Sequence, residues 1–214
     1  MKYVELHHHT TYSYMDGYGT PGQHAEVCAE YGMTAMAVTD HGNTSAHVQV
    51  EKACLKYGLK PIFGLEAYTA ITDENVRKMH LTLLASDLNG YHNLNRIVFA
   101  SYEDFHQWPT VYGSTLAAYH EGLIVLSGCS DSLLACSLLG GKQIPEEEAS
   151  WGRAYELAGN MKELLGDRFY LECQLFPELE RSKTINAAYE KLSKELKIPL
   201  VATGDVHTLR PGQH

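Results

Sequence analysis

The chain has 214 residues, 44% of them hydrophobic, which suits one large domain with its own core. A formal charge of -9 argues against a broad basic face that holds nucleic acid by counterion release, although bound divalent cations would reverse the sign locally. No apolar run approaches the roughly 20 residues needed to cross a bilayer, the first residues do not read as a signal peptide, and Cys28, Cys54, Cys129, Cys136 and Cys173 form no disulfide framework. A single cytoplasmic domain over residues 1–214 is expected.

In chain order, Tyr3, Val4 and Leu6 read as a short first strand running into His7-His8-His9. Residues two apart on a strand share a side, so His7 and His9 can grip one ion while His8 points away. Thr20 suits a helix N-cap and Pro21 the first helical position, which predicts a helix to Tyr31 that Gly32 ends. Residues 34–39 form an apolar run that stops at Asp40-His41-Gly42-Asn43, a strand followed by a polar turn. A second helix is expected over 44–57, closed by Gly58.

Residues 60–70 read as a strand carrying Glu66, and 80–85 as a fourth strand beginning at His80. A helix over 87–102 would bury Leu88, Leu94, Ile97 and Val98, and 103–113 is the least regular stretch. A fifth strand over 123–129 ends in Cys129, helical segments follow over 132–139 and 146–165, and a sixth strand occupies 168–173. A long helix over 178–196 precedes a seventh strand, 198–203, which leads into Asp205 and His207. No helix follows that strand, so a partner or a neighbouring copy is expected to cover it.

Strands alternating with helices imply a largely parallel sheet, and seven units suit a closed barrel whose C-terminal strand ends share one face. His7, His9, Asp16, His41, Glu66, His80, Cys129, Asp205 and His207 all lie near strand ends and are expected to converge there. His24, His47, His92, His106, His120 and His214 fall outside this pattern and take a surface or loop reading. Cys28, Cys54 and Cys136 read as small core residues, and Glu172 as a turn or salt-bridge residue.

The segments HHHTTYSYMDG, AVTDHGN, KPIFGLEAY, HLTLLA, LIVLSGC and PLVATGDVH, in this order, resemble the polymerase and histidinol phosphatase (PHP) domain. The resemblance is specifically to the version at the N-terminus of bacterial DNA polymerase III alpha subunits. The resemblance covers essentially the whole chain and implies a distorted seven-stranded, TIM-like (β/α) barrel with a trinuclear metal centre on the C-terminal rim. It would place His7, His9, Glu66 and Asp205 on a first ion, with Glu66 bridging to a second held also by His80 and Cys129. Asp16, His41 and His207 would hold a third.

Up to three divalent ions are thus expected, zinc suiting the mixed imidazole, carboxylate and thiolate set, with manganese or iron as alternatives. Cys129 stands where phosphatase members more often show His, which favours the polymerase-type branch. Asp40 is expected to support His41 or cap the next turn, and Arg77, Lys78 and Arg210 are the candidates for holding a phosphate. Clustered divalent ions make a hydroxide nucleophile at neutral pH and stabilise phosphoryl charge, so phosphoester hydrolysis is expected. The polymerase-type branch implies a 3′ to 5′ exonuclease on DNA or nucleotide phosphoesters, proofreading a polymerase in cis or in trans. The competing readings are a phosphomonoesterase of the histidinol phosphatase type and a non-catalytic module of a replicase. Amidohydrolase-type metal barrels fit the ordered motifs less well.

Overall fold

The computed structural model describes residues 3–71, 78–103, 105 and 107–210. The segment around residues 5–9 is extended, but it is not the regular first strand expected from its sequence. It is pinned to both sides by separate bonds: Ala37 N–H donates to Glu5 O at 3.3 Å and Thr39 N–H to His8 O at 2.9 Å, while His9 N–H donates to Val206 O at 2.8 Å and Val206 N–H to His7 O at 3.0 Å.

Helix α1 (Pro21–Glu30) begins as expected, with Thr20 as N-cap and Gln23 completing a capping box. Strand β1 (Ala35–Val38) leads to α2 (His47–Tyr57), whose C-cap is Gly58 in the left-handed conformation. Then come β2 (Lys60–Thr69), β3 (Met79–Ala85), α3 (Leu88–Glu103), β4 (Thr110–Val111), α4 (Gly113–Tyr119) and β5 (Leu123–Leu126). Elements α5 (Leu133–Leu139), α6 (Trp151–Leu165), β6 (Phe169–Gln174), α7 (Glu180–Leu196) and β7 (Leu200–Thr203) complete the described chain.

The sheet runs β1-β2-β3-β5-β6-β7, with β4 paired to β2. It departs from the expected parallel barrel in two ways. Strand β3 is antiparallel to both β2 and β5. His80 therefore stands at the start of its strand and still reaches the rim, because an antiparallel strand begins where its neighbours end. Among the described residues no ladder joins β7 to β1; the 5–9 segment bridges them, giving a curled, barrel-like sheet.

Alternation along the strands sorts the interior into layers. Ala37, Leu84 and Leu126 form an apolar floor with Leu6, Ile62, Ile124, Tyr170 and Val201. Above it come Thr82, Glu172, His7 and Glu66, all buried. The outer faces of β2, β3, β5 and β6 pack against α3, α6 and α7 through Leu65, Leu83, Val125, Phe169, Ile97, Ala158 and Tyr189. A separate cluster joins α1, α2 and β1 and holds Cys28 and Cys54, while Cys136 packs with Met79 and Ile144, as expected for small core residues.

Other expectations need correction. Leu88 is exposed, since only Leu94 and Ile97 of its helix reach the sheet fully. The segment expected as one helix over 146–165 breaks, with a short 3-10 turn at Glu146–Glu148 and α6 restarting where Ser150 Oγ caps Arg153 N–H at 3.2 Å. His24 and His47 are buried rather than superficial: His24 bonds His8 and the Tyr18 carbonyl, and His47 bonds the Gly64 carbonyl at 2.9 Å. His106 and His214 lie outside the described residues. On β7, Leu200 and Ala202 are exposed.

Candidate metal centre

Glu66 is the hub. It is 1% exposed, and its two oxygens face four imidazoles. Oε1 lies 3.1 Å from His7 Nε2 and 3.1 Å from His80 Nδ1; Oε2 lies 3.3 Å from His9 Nε2 and 2.8 Å from His41 Nδ1. Asp205 Oδ1 is 3.4 Å from both His7 Nε2 and His9 Nε2. Asp205 achieves this with a left-handed φ of +48°, a conformation that Asp tolerates better than most residues.

The remaining candidates extend this hub in two directions. Cys129 Sγ lies 3.5 Å from His80 Nδ1. Asp16 Oδ2 lies 2.8 Å from His41 Nε2 and 3.1 Å from His207 Nε2. Within three groups the possible donor atoms all fall within 4.8 Å of one another: His7, His9 and Glu66; His41, Glu66 and His80; and His9, His41 and His207. All nine expected residues are therefore brought together at one rim, and His41 stands between Glu66 and Asp16. His8 points the other way, its Nε2 2.7 Å from His24 Nδ1.

His7 Nε2, His9 Nε2, His41 Nδ1, both Glu66 oxygens and Asp205 Oδ1 are buried without a hydrogen-bond partner among the described residues. They face one another as ion pairs at 2.8–3.4 Å without a well-directed hydrogen bond, so a cation at the hub would give each of them a directed partner. Two ligands about 2.05 Å from one tetrahedral ion lie about 3.3 Å apart, close to the His7, His9, Glu66 and Asp205 separations. The residues fit divalent ions.

Supporting contacts fix which ring nitrogen faces the hub. His7 Nδ1 lies 2.6 Å from Glu172 Oε1, and that carboxylate also accepts the Thr203 hydroxyl at 2.6 Å and the Thr82 hydroxyl at 3.1 Å. The arrangement leaves His7 Nε2 free as a donor to an ion. Glu172, read from the sequence as a turn or salt-bridge residue, is in fact buried beside a candidate ligand. Its spacing two residues beyond Tyr170, which points inward, was the available signal. His9 Nδ1 bonds Ser13 Oγ at 2.8 Å, and Ser13 Oγ donates to Asp40 Oδ1 at 2.8 Å. Asp40 thus supports His9 through Ser13, and reaches His41 only through the same hydroxyl, which accepts the His41 N–H at 3.1 Å. Gln174 Nε2 donates to Asp205 Oδ2 at 3.0 Å, leaving Oδ1 toward the histidines.

Of the three expected phosphate-binding cations, only Lys78 and Arg210 are among the described residues. Arg77 lies outside the described residues. Lys78 is largely buried immediately before β3. Arg210 pairs with Glu30 at the end of α1.

The loop bearing Asp16 is held by close packing. Ser13 N–H donates to Thr10 O, and Asp16 and Gly17 N–H both donate to Ser13 O. A Cβ at Gly17 would stand 2.0 Å from Thr10 O. Gly17→Ala must therefore move the loop, and metal titration should show weakened binding at the Asp16, His41 and His207 group with the Glu66 group retained. Unchanged stoichiometry and affinity would contradict this.

Electrostatics predict a proton cost for loading. Burial disfavours charge on His7, but Glu172, Asp205 and Glu66 hold it protonated well above the usual range. Burial likewise opposes charge on His9, yet Asp205 and Glu66 push it up to about 9. Burial, then the Glu66 and Asp205 charges, raise the Cys129 thiol well above its ordinary value. Burial opposes charge on Glu66 too, yet His7 and His80 keep it ionised well below the usual carboxylate range. An incoming ion must displace protons, so affinity should fall as pH drops from 9 to 6. Calorimetry in buffers of different ionisation enthalpy should report proton release at pH 7, and buffer-independent heats would refute it.

Similarity to known proteins bears on the family and the fold. The PHP domain family profile matches residues 5–175. DNA polymerase III subunit alpha of Treponema pallidum is 34% identical over 217 residues, covering 97% of this chain and 18% of that protein. The same subunit of Borreliella burgdorferi is 32% identical over 216 residues, covering 96% and 18%. The chain thus spans less than a fifth of the length of these curated relatives. Among solved structures, a two-domain protein containing a predicted PHP-like metal-dependent phosphoesterase from Bacteroides vulgatus superposes with a TM-score of 0.54 at 13% identity, covering 96% of this chain and 52% of that one. An amidohydrolase from Chromobacterium violaceum gives 0.51 at 13% identity, covering 98% and 88%, and both likenesses concern the fold alone. With the family profile spanning most of the chain and relatives matching nearly all of it, this protein belongs to the PHP domain family.

Proposed function

We propose that this chain is a metal-dependent phosphodiesterase that removes nucleotides from the 3′ end of single-stranded DNA. The observation that carries the reading is the convergence of nine candidate ligands on a rim around Glu66, whose buried oxygens have no hydrogen-bond partner among the described residues. His7, His9, Glu66 and Asp205 would hold one ion, Glu66, His80 and Cys129 a second, and Asp16, His41 and His207 a third. Zinc suits the donor set best, with manganese or iron as alternatives. Bound ions would lower the pKa of water and neutralise phosphoryl oxygens. The protein's share is positional: Glu172 and Ser13 orient His7 and His9, Gln174 aims Asp205, and the apolar floor excludes bulk water from beneath the site.

Similarity to polymerase III alpha subunits favours DNA over a small metabolite as substrate, and a polymerase in cis or in trans as partner. Among the described residues no helix is long and apolar enough to cross a membrane.

The test is nucleotide release from a 5′-labelled single-stranded oligonucleotide with added manganese or zinc, beside histidinol phosphate and a nucleoside monophosphate. A ladder shortening from the 3′ end with no small-ester turnover is expected. Preferential turnover of histidinol phosphate would assign the monoesterase reading. A fully metal-loaded protein without turnover on any substrate would make the centre structural.

A further inference from the structure

We propose that Tyr68 and Trp108 form a stacking subsite for the terminal nucleobase of a single-stranded nucleic acid, beside the metal centre. This rests on the nucleic-acid phosphodiesterase reading and deepens it.

The rings adjoin the candidate ligands. Tyr68 stacks on His41 with centroids 5.4 Å apart and planes 17° from parallel, and its edge meets His80 at 5.5 Å. The Trp108 ring lies against Tyr68 as well, its centroid 4.9 Å away and its plane tilted by 53°. Tyr68 is half-buried, whereas Trp108 is 42% exposed. A phosphate held at the Glu66 and His80 side of the cluster would have an aromatic surface within one ring's reach.

The fold fixes these rings rather than leaving them on a loose loop. Strand β4 pairs with the end of β2, matching Tyr68 to Thr110 and Thr69 to Val111, so Trp108 enters two residues before a ladder. Pro109 and Tyr68 both close on the His41 turn at Gly42: a Cβ there would lie 2.8 Å from Pro109 Cγ and 3.1 Å from the Tyr68 ring. Just upstream, Tyr102 and Phe105 form a second stacked pair, 5.7 Å apart and 11° from parallel, each about half exposed. Three exposed rings close together in the chain, Trp108 backed by Tyr68 and the Tyr102–Phe105 pair, match the way single strands are bound, base on ring.

Charge points the same way. The chain carries -9, Arg210 is paired to Glu30, and Lys78 is largely buried. Counterion release therefore contributes little, and affinity for a strand must come from bound cations and from base stacking. The contact of Tyr68 with His41 and His80 sets the exposed Trp108 ring next to the candidate ligands, where the end of a strand bound at the metal centre would lie.

The test compares a labelled single-stranded oligonucleotide with one of equal length whose 3′-terminal base is replaced by an abasic tetrahydrofuran, by fluorescence anisotropy, in the metal-stripped protein and with manganese. The parent protein should prefer the complete strand by roughly 5- to 100-fold, with a shallow salt dependence. Trp108→Ala should abolish the preference, and Trp108→Phe should restore most of it. Equal affinity of the parent for both strands would overturn the proposal and leave the rings to a protein partner. A preference that persists in Trp108→Ala would also overturn it. Base preference without hydrolysis would refute the phosphodiesterase reading alone, and hydrolysis without base preference would refute the stacking subsite alone.

Discussion

Glu66→Gln should strip the protein of bound metal and lower phosphoester hydrolysis by about a thousandfold, because an ion's stabilisation of phosphoryl charge is worth several kcal/mol. The substitution keeps the side chain's volume but removes the charge that faces His7, His9, His41 and His80 at 2.8–3.3 Å. The metal-free protein should suffer too. Removing the anionic partner of the buried, protonated His7 and His9 costs roughly 3–5 kcal/mol, which for a chain of this size is a fall in Tm of about 6–20 °C. Elemental analysis, a melting curve and the oligonucleotide assay on the same preparation check all three. Full metal content with unchanged Tm would refute the role of Glu66 as the hub.

Glu172→Gln is the second substitution with a large expected effect, and it acts without touching an ion. The His7 ring is turned by Glu172 at 2.6 Å, and burial leaves no water to replace that carboxylate. Loss of such an orienting contact typically weakens metal binding about 10–100-fold. Competition with a chromogenic chelator should report that loss, and combination with His7→Ala should add little to His7→Ala alone, since both remove the same ligand. Full additivity, or parent-like affinity in Glu172→Gln, would show that His7 is oriented by something else. Thr82→Val, which removes one hydroxyl from the same carboxylate, should have a smaller effect in the same direction.

Much of the architecture was legible because it depends on local pattern. The capped start of α1 at Thr20-Pro21, the Gly58 stop of α2 and the strands flanking Glu66 follow from propensity and periodicity. The candidate ligands were legible because donor-type residues recur at strand ends.

The order and sense of the strands were not. Nothing local to residues 79–85 distinguishes a parallel from an antiparallel strand, so the reversal of β3 was decided by pairing with β2 and β5. The N-terminal segment likewise failed to become a strand because its backbone bonds are divided between β1 and Val206 instead of following one ladder.

The sequence by itself thus determined most of the elements and the donor residues: short-range hydrogen bonding, capping and alternation set the first, and side-chain chemistry the second. Only the tertiary structure decided which donors share a neighbourhood, that Glu172 turns His7, that Ser13 carries Asp40 to His9, and that Trp108 stands beside Tyr68. The Ser13–Asp40 and His7–Glu172 contacts join residues 27 and 165 positions apart, and the Trp108–Tyr68 contact crosses from β2 to the chain before β4. Burial and packing around a curled sheet create them, and no local pattern encodes a distance of that kind.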